Sequence, residues 1–593
     1  MGWMGPYVEK DNEKQYMGDF AKARRLLQHL LRYKKDVVLV AITIFVSTAV
    51  SMTSPYVLGL AVNGILGRNI HDVYFFSGLY AALYIFNYVF EGRRTYLMPV
   101  LAQRVIKDLR DMCFDSIQKV EASFYTKKPS GRIISNVTND AEALSDFLTF
   151  QLPQVLAGLT AIVGSIGVMV YLDPSLTLVS LTIIPVLAVF SALMQRRVRE
   201  RFFETRRKIA AVTANFQEVV GGVKVVKSFA REEEEARRFD KVNSENLEVN
   251  LKASKLSAFY NSMVQIIEAI GIAIVLFFGA KQVLASTITV GILVSFVLYV
   301  QNFFNPVLQL SLFYNSYQSA MTGLDRVYRL IDEGEKVTPK PNLLRVRRLK
   351  GQVEFVDVRF GYDGREVLHG VSFIIPAGSK VALIGPTGAG KTTVVNILLK
   401  FYEPSAGRVL VDGIDITQID AKSFREHVAV VFQESILFEG SVMDNIRLGN
   451  PALTEDEIKR LMVEYGLDPI LSKLSEGYST RLSERGSNIS EGQKQLIGLA
   501  RAIVKQPAML ILDEATSQLD PHTERVVQQA VMKLMQSRSV LIVAHRLSTI
   551  MLCDSVVYLN DGRVVTQGPP LKVLQDNPKL MSMYKYQTAV DEG

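Results

Sequence analysis

The apolar run Lys380–Ile384 leads straight into Gly385, Pro386, Thr387, Gly388, Ala389, Gly390, Lys391 and Thr392, with Thr393 next. This is the spacing G-x-x-x-x-G-K-T, placed between a strand-like and a helix-like stretch. Glycines let backbone N–H groups close around phosphate oxygens, and the N-terminus of the following helix adds positive potential. Lys391 would reach the β- and γ-phosphates of ATP, and the Thr392 hydroxyl would bind Mg²⁺. A second apolar run, Met509–Leu512, ends on two carboxylates. Asp513 would hold Mg²⁺, directly or through water, and Glu514 would polarise the attacking water. His545 follows a third run, Val540–Ala544. A lone histidine is usually structural, but the end of a strand beside a nucleotide site makes this one a γ-phosphate contact.

Those residues need an α/β frame. From Val353 onward, short β-like runs alternate with helical patterns: Val353–Val358, Ser379–Ile384, Val428–Phe432, Met509–Leu512 and Val540–Ala544. They predict an α/β domain over 351–593. Residues 326–350, rich in charge toward their end and carrying two prolines, read as the linker into it.

The first half is membrane-like. Val37–Gly67 is 31 residues without a charge, Val73–Phe90 is 18, Phe147–Leu172 is 26 and Pro174–Gln195 is 22. Leu256–Ala280 carries one charge, Glu268, and Gln282–Leu324 is 43 residues with none. A helix needs ~20 apolar residues to cross ~30 Å of hydrocarbon. Six spans are therefore expected within 1–325, the last near Gly291–Leu312 with a helix continuing into water. Residues 1–36, 91–146 and 196–255 hold eight, nine and fifteen Lys/Arg, while the other connections hold at most one. Positive loops stay in the cytoplasm, so both termini and the long loops are placed there. Asp19–Lys35 is basic and amphipathic, as an interfacial helix would be. The net charge of +8 is largely accounted for by these loops, so nucleic acid is not needed as a partner. Hydrophobic residues make up 48% of the chain and charged residues 21%, which excludes disorder, and two cysteines exclude a disulfide framework.

Read together, these motifs resemble a half-transporter of the ABC superfamily in the exporter class, over nearly the whole chain. The resemblance implies a six-helix membrane bundle with long cytoplasmic extensions, followed by an α/β P-loop nucleotide-binding domain. It implies Tyr362 as the ring stacked on adenine, Gln433 as a further Mg²⁺ and catalytic contact, and Ser517 and Asp520 as a loop at the dimer boundary. It also implies that Phe124–Ile133 and Gln217–Phe229 couple the bundle to nucleotide domains. ATP and Mg²⁺ are the implied cofactors. Two such chains would sandwich two ATPs, each between one chain's phosphate loop and the other chain's signature.

The signature departs from the family pattern. Leu-Ser-Gly-Gly-Gln is usual, and here Ile489 precedes Ser490, Glu491, Gly492 and Gln493. Glu491 puts a negative charge near the γ-phosphate of the opposite ATP. Two unit charges ~6 Å apart repel by roughly 3 kcal/mol at an effective dielectric of ~20. An intact Glu514 beside a worn signature resembles one chain of a bacterial heterodimeric multidrug-type exporter. A second, different half-transporter is thus the expected partner, with a homodimer as the alternative, in a bacterial inner membrane.

Candidates for the substrate cavity are Glu268, Phe296, Tyr299, Asn302 and Phe303. An intramembrane carboxylate is costly and marks a functional site by default, or else a hydrogen-bonded structural group. Aromatics at helical spacing either pack or bind. Amphipathic small molecules, with lipid around them, are the expected substrate class. A lipid or glycolipid flippase, and a nucleotide-gated channel or membrane regulator, are the alternatives.

Overall fold

The computed structural model describes residues 17–336, 343–362, 364–513, 521–544 and 546–577. The chain divides into two units: Met1–Val120 with Lys128–Val337, and Glu121–Lys127 with Thr338–Gly593.

The first unit is helical. Its elements are α1 Asp19–Leu30, α2 Lys34–Leu66 and α3 Ile70–Lys119, then, beyond the short α4 Ala122–Lys127 that groups with the second unit, α5 Ser130–Val137, α6 Asn139–Asp146, α7 Leu152–Leu172, α8 Pro174–Leu181, α9 Ile183–Gly221, α10 Val223–Ser228, α11 Glu232–Leu284 and α12 Val290–Lys336. A π-helical turn, Phe147–Gln151, joins α6 to α7. Among the described residues, five helical stretches are long and apolar enough to cross a membrane, and Val290–Phe304 is a shorter apolar stretch. Capping side chains start two of them. Asn69 accepts from the backbone of His71 and Asp72, and Asp173 accepts from Leu176. α3 has 50 residues, about 75 Å at 1.5 Å per residue, far more than a bilayer core needs. Beyond its apolar start, Met98, Leu101, Ala102, Val105, Ile106, Leu109 and Cys113 are buried at helical spacing, so a packed face continues past the membrane.

α2 and α12 approach backbone to backbone. A Cβ on Gly291 would lie 1.9 Å from the Gly59 carbonyl oxygen, so only glycine fits there. Polar atoms close the same contact. The Tyr299 hydroxyl donates to the Met52 carbonyl at 2.7 Å, Ser295 donates to the Pro55 carbonyl at 2.9 Å, and the Gly291 N–H donates to Asn63 Oδ1 at 2.8 Å. Small residues and side-chain hydrogen bonds replace the hydrophobic drive that lipid removes.

α1 carries two faces. Lys22, Leu26 and His29 are buried, while Phe20, Leu27 and Leu31 just beyond it are exposed. The buried face docks on α12 through charge. Lys22 Nζ donates to the Met321 carbonyl at 3.2 Å and lies 2.8 Å from Asp19 and 3.7 Å from Asp325. Arg25 pairs with Asp332 at 2.7 Å and its guanidinium sits 4.4 Å over the Tyr328 ring. Two of the six basic residues in Asp19–Lys35, Lys22 and Arg25, are thus held by protein carboxylates, while Arg24, Arg32, Lys34 and Lys35 are exposed.

α12 runs on to Lys336, through the first part of the stretch that reads as a linker in sequence. By Leu344 the backbone is already tied into the second unit, donating to the Gln418 carbonyl at 2.8 Å.

The second unit holds β1 Val353–Tyr362, β2 Arg365–Ile375, β3 Lys380–Ile384, β4 Ala406–Val411, β5 Ile414–Asp415, β6 Val428–Val431, β7 Gly440–Ser441, β8 Arg481–Leu482, β9 Met509–Asp513, β10 Ser539–Val543, β11 Ser555–Asn560 and β12 Arg563–Gly568. A four-stranded antiparallel sheet has the order β2-β1-β4-β5, and a six-stranded sheet the order β12-β11-β3-β10-β9-β6. In the latter, β11, β3, β10, β9 and β6 are parallel and only β12 is antiparallel. β3 and β10 are almost wholly buried, as strands covered on both faces must be.

Candidate functional site

The parallel register decides what meets what. Leu383 lies opposite Val543, Val543 opposite Asp513, and Leu512 opposite Val431. Four strands therefore end at one sheet edge. The phosphate loop leaves β3 there, β9 ends on Asp513, and Gln433 follows β6 by two residues. This is the edge where ligands bind in open parallel sheets.

The loop's glycines have separate reasons. Gly385 has φ +153 and a Cβ would stand 2.1 Å from the Leu559 carbonyl oxygen. At Gly390, φ is +102 and a Cβ would meet Leu368 at 2.6 Å. Gly388 has φ +86, but nothing lies within 4 Å of its missing Cβ. Its side faces open space, where phosphate oxygens would sit. Lys391 is buried, and its ammonium donates to the carbonyls of Gly385 at 2.8 Å and Pro386 at 3.1 Å. The loop is thus held in its curved form by its own lysine. Pro386 and Ala389 close a turn, the Ala389 N–H donating to the Pro386 carbonyl at 3.2 Å, and Thr387 precedes the open Gly388.

The helix Lys391–Leu398 opens directly from the loop, aiming its N-terminus at that space. Thr392 is exposed on its first turn, and Thr393 is buried. Tyr362 donates from its hydroxyl toward Thr393 at 3.4 Å. Its ring is held edge-on by Phe360 and Tyr402, at centroid distances of 5.0 and 5.2 Å. The ring expected to stack on adenine is thereby fixed beside the phosphate loop.

Among the described residues no group of three His, Cys, Asp or Glu could hold a metal alone. The set at this edge is different: a Thr392 hydroxyl, an Asp513 carboxylate and a Gln433 amide. These hard oxygen donors suit Mg²⁺ when phosphate oxygens complete the shell. Glu514, Ser517, Asp520 and His545 lie outside the described residues.

The signature helix spans Glu491–Lys505. Ser490 caps it, accepting from the Gln493 N–H at 3.3 Å, while the Gln493 side chain accepts from the Ser490 N–H at 2.9 Å. This reciprocal capping box leaves the Glu491 and Gly492 N–H groups at the helix start. Glu491 is not an isolated charge: Lys494 Nζ stands 3.1 Å from its carboxylate.

Two further residues escape a motif-based reading. Arg501, ten positions along the helix, donates to the Asn445 carbonyl at 2.8 Å, to Asn445 Oδ1 at 2.6 Å and to the Ile436 carbonyl at 2.7 Å. Asn445 in turn donates to the carbonyls of Phe438 and Ser441 and accepts from the Phe438 N–H. Arg501 and Asn445 thereby tie the segment after Gln433 to the signature helix. The available signal was a lone arginine among the buried Leu496, Ile497, Ala500, Ile503 and Val504.

In the first unit, Phe296, Tyr299 and Phe303 are packed in the bundle core, at most 2% exposed, with Ile183, Val264 and Val275. They build the wall of the bundle and offer no open surface in this structure. Tyr299 further commits its hydroxyl to Met52. Asn302 is exposed. Glu268 is half-buried and has no hydrogen-bond or ion-pair partner among the described residues. Ser257, Asn261, Gln265 and Glu268 recur every three or four positions on α11, a polar stripe that ends on the carboxylate.

Comparison with known proteins finds the family described as "ABC transporter transmembrane region" over residues 37–307 and "ABC transporter" over 368–517. An uncharacterized ABC transporter ATP-binding protein, YknV of Bacillus subtilis (strain 168), is 34% identical over 591 residues, covering 99% of this chain and 98% of that protein. A putative multidrug export ATP-binding/permease protein of the same organism, YgaD, is 33% identical over 92% of this chain and 96% of its own. A solved structure of a bacterial Atm1-family ABC exporter with ATP bound superposes with a TM-score of 0.75 at 25% identity, over 93% of this chain and 98% of that one.

Proposed function

Since the chain belongs to the ABC exporter family, as a half-transporter with an ATP-hydrolysing cassette behind a multi-pass membrane bundle, we propose that it exports amphipathic small molecules by alternating access. Residues 1–325 form the bundle with six spans, 326–350 the linker and 351–593 the cassette. The cassette and both termini face the cytoplasm of a bacterial cell, which the basic loops support. Working as a dimer, each chain supplies one phosphate loop and one signature. Whether the second half is a copy of this chain or a different one turns on Glu491.

The shared strand edge of the phosphate loop, Asp513 and Gln433 supports this reading most. Lys391 and the loop N–H groups bind the phosphates, Tyr362 stacks on the base, and Glu514 accepts a proton from the attacking water. His545 contacts the γ-phosphate. Mg²⁺, held by Thr392, Asp513 and Gln433, would supply charge neutralisation on the phosphates. ATP held in the gap favours the closed state because it binds that state better. In the bundle, Glu268, which has no partner among the described residues, ends a polar stripe and favours a substrate with a cationic head, and Asn302 adds an exposed amide. A relative described as a putative multidrug export protein supports small molecules as the cargo.

The test is the full chain in lipid vesicles with MgATP and a labelled cationic amphiphile. Substrate should accumulate on the side away from the cassette. Glu514→Gln should retain ATP binding while turnover falls roughly 10²–10⁴-fold. Near-normal turnover in that variant refutes the site assignment.

A further inference from the structure

The substitution that sets this signature apart, Glu491, comes with a partner that the motif does not include. Lys494 Nζ lies 3.1 Å from the Glu491 carboxylate, one helical turn along. The lysine stem is not loose. Its side chain is only 18% exposed. Its Cε passes 3.5 Å from where a Cβ on Gly486 would stand, so the stem lies along the turn that Gly486 makes at φ +64. The Gly486 turn is braced by its own N–H, which donates to the Ser483 carbonyl at 2.8 Å. Packing therefore delivers the ammonium to one place.

Resting on the dimeric reading above, we propose that Lys494 is a positioning residue that cancels the Glu491 charge and keeps this signature competent toward ATP. The helix start then presents two backbone N–H groups and the Ser490 hydroxyl to the γ-phosphate, with no net side-chain charge beside them. A triphosphate is attracted by helix N-terminal N–H groups and repelled by an unpaired carboxylate. With Lys494 in place most of the repulsion is removed and the helix N-terminus can offset the rest. A second copy of this chain can then complete both sites, without a different half-transporter carrying a standard signature.

The experiment uses the full chain, purified alone and reconstituted in lipid, with MgATP as the probe. Lys494→Gln should raise the KM for ATP about tenfold, with a smaller change in kcat. Lys494→Arg should stay close to wild type, because its charge reaches the same carboxylate. Glu491→Gly with Lys494→Gln should return KM to within about twofold of wild type, since neither charge is left unpaired. A purely structural role for Lys494 would leave the double variant as impaired as Lys494→Gln, and that result overturns the proposal. So does a Lys494→Gln enzyme with wild-type KM. A wild-type chain that binds ATP and turns over only when another half-transporter is added also overturns it. Failure of the underlying reading looks different: no ATP binding at all, or undiminished hydrolysis by Glu514→Gln.

Discussion

Replacing Arg501 by Met should destabilise the cassette by about 3 kcal/mol. The guanidinium makes three hydrogen bonds of 2.6–2.8 Å to Asn445 and Ile436. Burial pulls its affinity for the proton below the usual arginine range, so the charge is held in a poorly hydrated place. A hydrogen bond to a charged group contributes ~1.5–3 kcal/mol, so three amount to roughly 4.5 kcal/mol at the low end. Two effects reduce this. Arg501 is not fully buried, so water reaches part of the freed surface, and Met keeps most of the stem's packing. About 3 kcal/mol remains. For a unit of this size each kcal/mol moves the melting temperature by ~2–4 °C, so the cassette transition should fall by about 6–12 °C. Calorimetry of the full chain in detergent reads it directly. Arg501→Lys keeps the charge but not the fork, and should lose about half as much. A Met variant melting within about 2 °C of wild type would refute the view that Arg501 ties the Gln433 segment to the signature helix.

Gly388→Ala should fold, since nothing lies within 4 Å of the new Cβ. It should weaken ATP binding at least about tenfold, because φ +86 strains an L residue by ~1–2 kcal/mol and the methyl group enters the phosphate space. Unchanged affinity in a nucleotide titration would contradict the cradle. In the bundle, Tyr299→Phe should cost about 0.6 kcal/mol, one interhelical hydrogen bond. Gly291→Ala should cost far more, because its Cβ would stand 1.9 Å from the Gly59 oxygen. Detergent unfolding midpoints in the reverse order would count against the backbone contact. His29 is held below the ordinary histidine range first by burial, then by Arg32 and Arg25, while Asp108 opposes them. A depressed value means that docking of α1 is favoured above the unfolded value of 6.5 and lost as pH falls below it. Limited proteolysis at α1 should therefore increase from pH 7.5 to 5.5 in wild type and stay flat in His29→Gln.

The parallel strands were legible because they are buried on both faces. Runs such as Val381–Ile384 and Leu510–Leu512 are continuous apolar blocks, and strand ends followed directly from them. The antiparallel strands were harder to read. β2 contains Arg365, Glu366 and His369, and β12 is half-exposed throughout, so neither stands out from a loop. The same limit applies to α1. Its basic residues suggest a lipid headgroup surface, for which Arg24 is exposed, but Lys22 is 2% exposed against Asp19, Asp325 and the Met321 carbonyl. A basic residue's partner lies some 300 positions away in sequence, and no local pattern reveals it. The aromatics of the sixth apolar segment suffer from a similar degeneracy. Helical spacing of Phe296, Tyr299 and Phe303 describes a face, and only the fold says that α2 and the α11 core cover it.

Glu491 shows how a motif departure reads differently once charge is counted together with its neighbours. Alone, its carboxylate ~6 Å from a phosphate repels by about 3 kcal/mol at an effective dielectric of ~20. Lys494 sits 3.1 Å from that carboxylate. Placed at ~9 Å from the same phosphate, its ammonium attracts by about 2 kcal/mol, so roughly 1 kcal/mol of repulsion remains before salt screening. That residue is comparable with what a helix N-terminus contributes toward an anion, ~0.3–1 kcal/mol. The balance that made the signature look disabled thus becomes nearly even. The sequence argument for an unlike partner rested on that repulsion, and it weakens in proportion. If the proposal holds, a homodimer of this chain depends on the Glu491–Lys494 ion pair persisting when two nucleotide domains close on ATP.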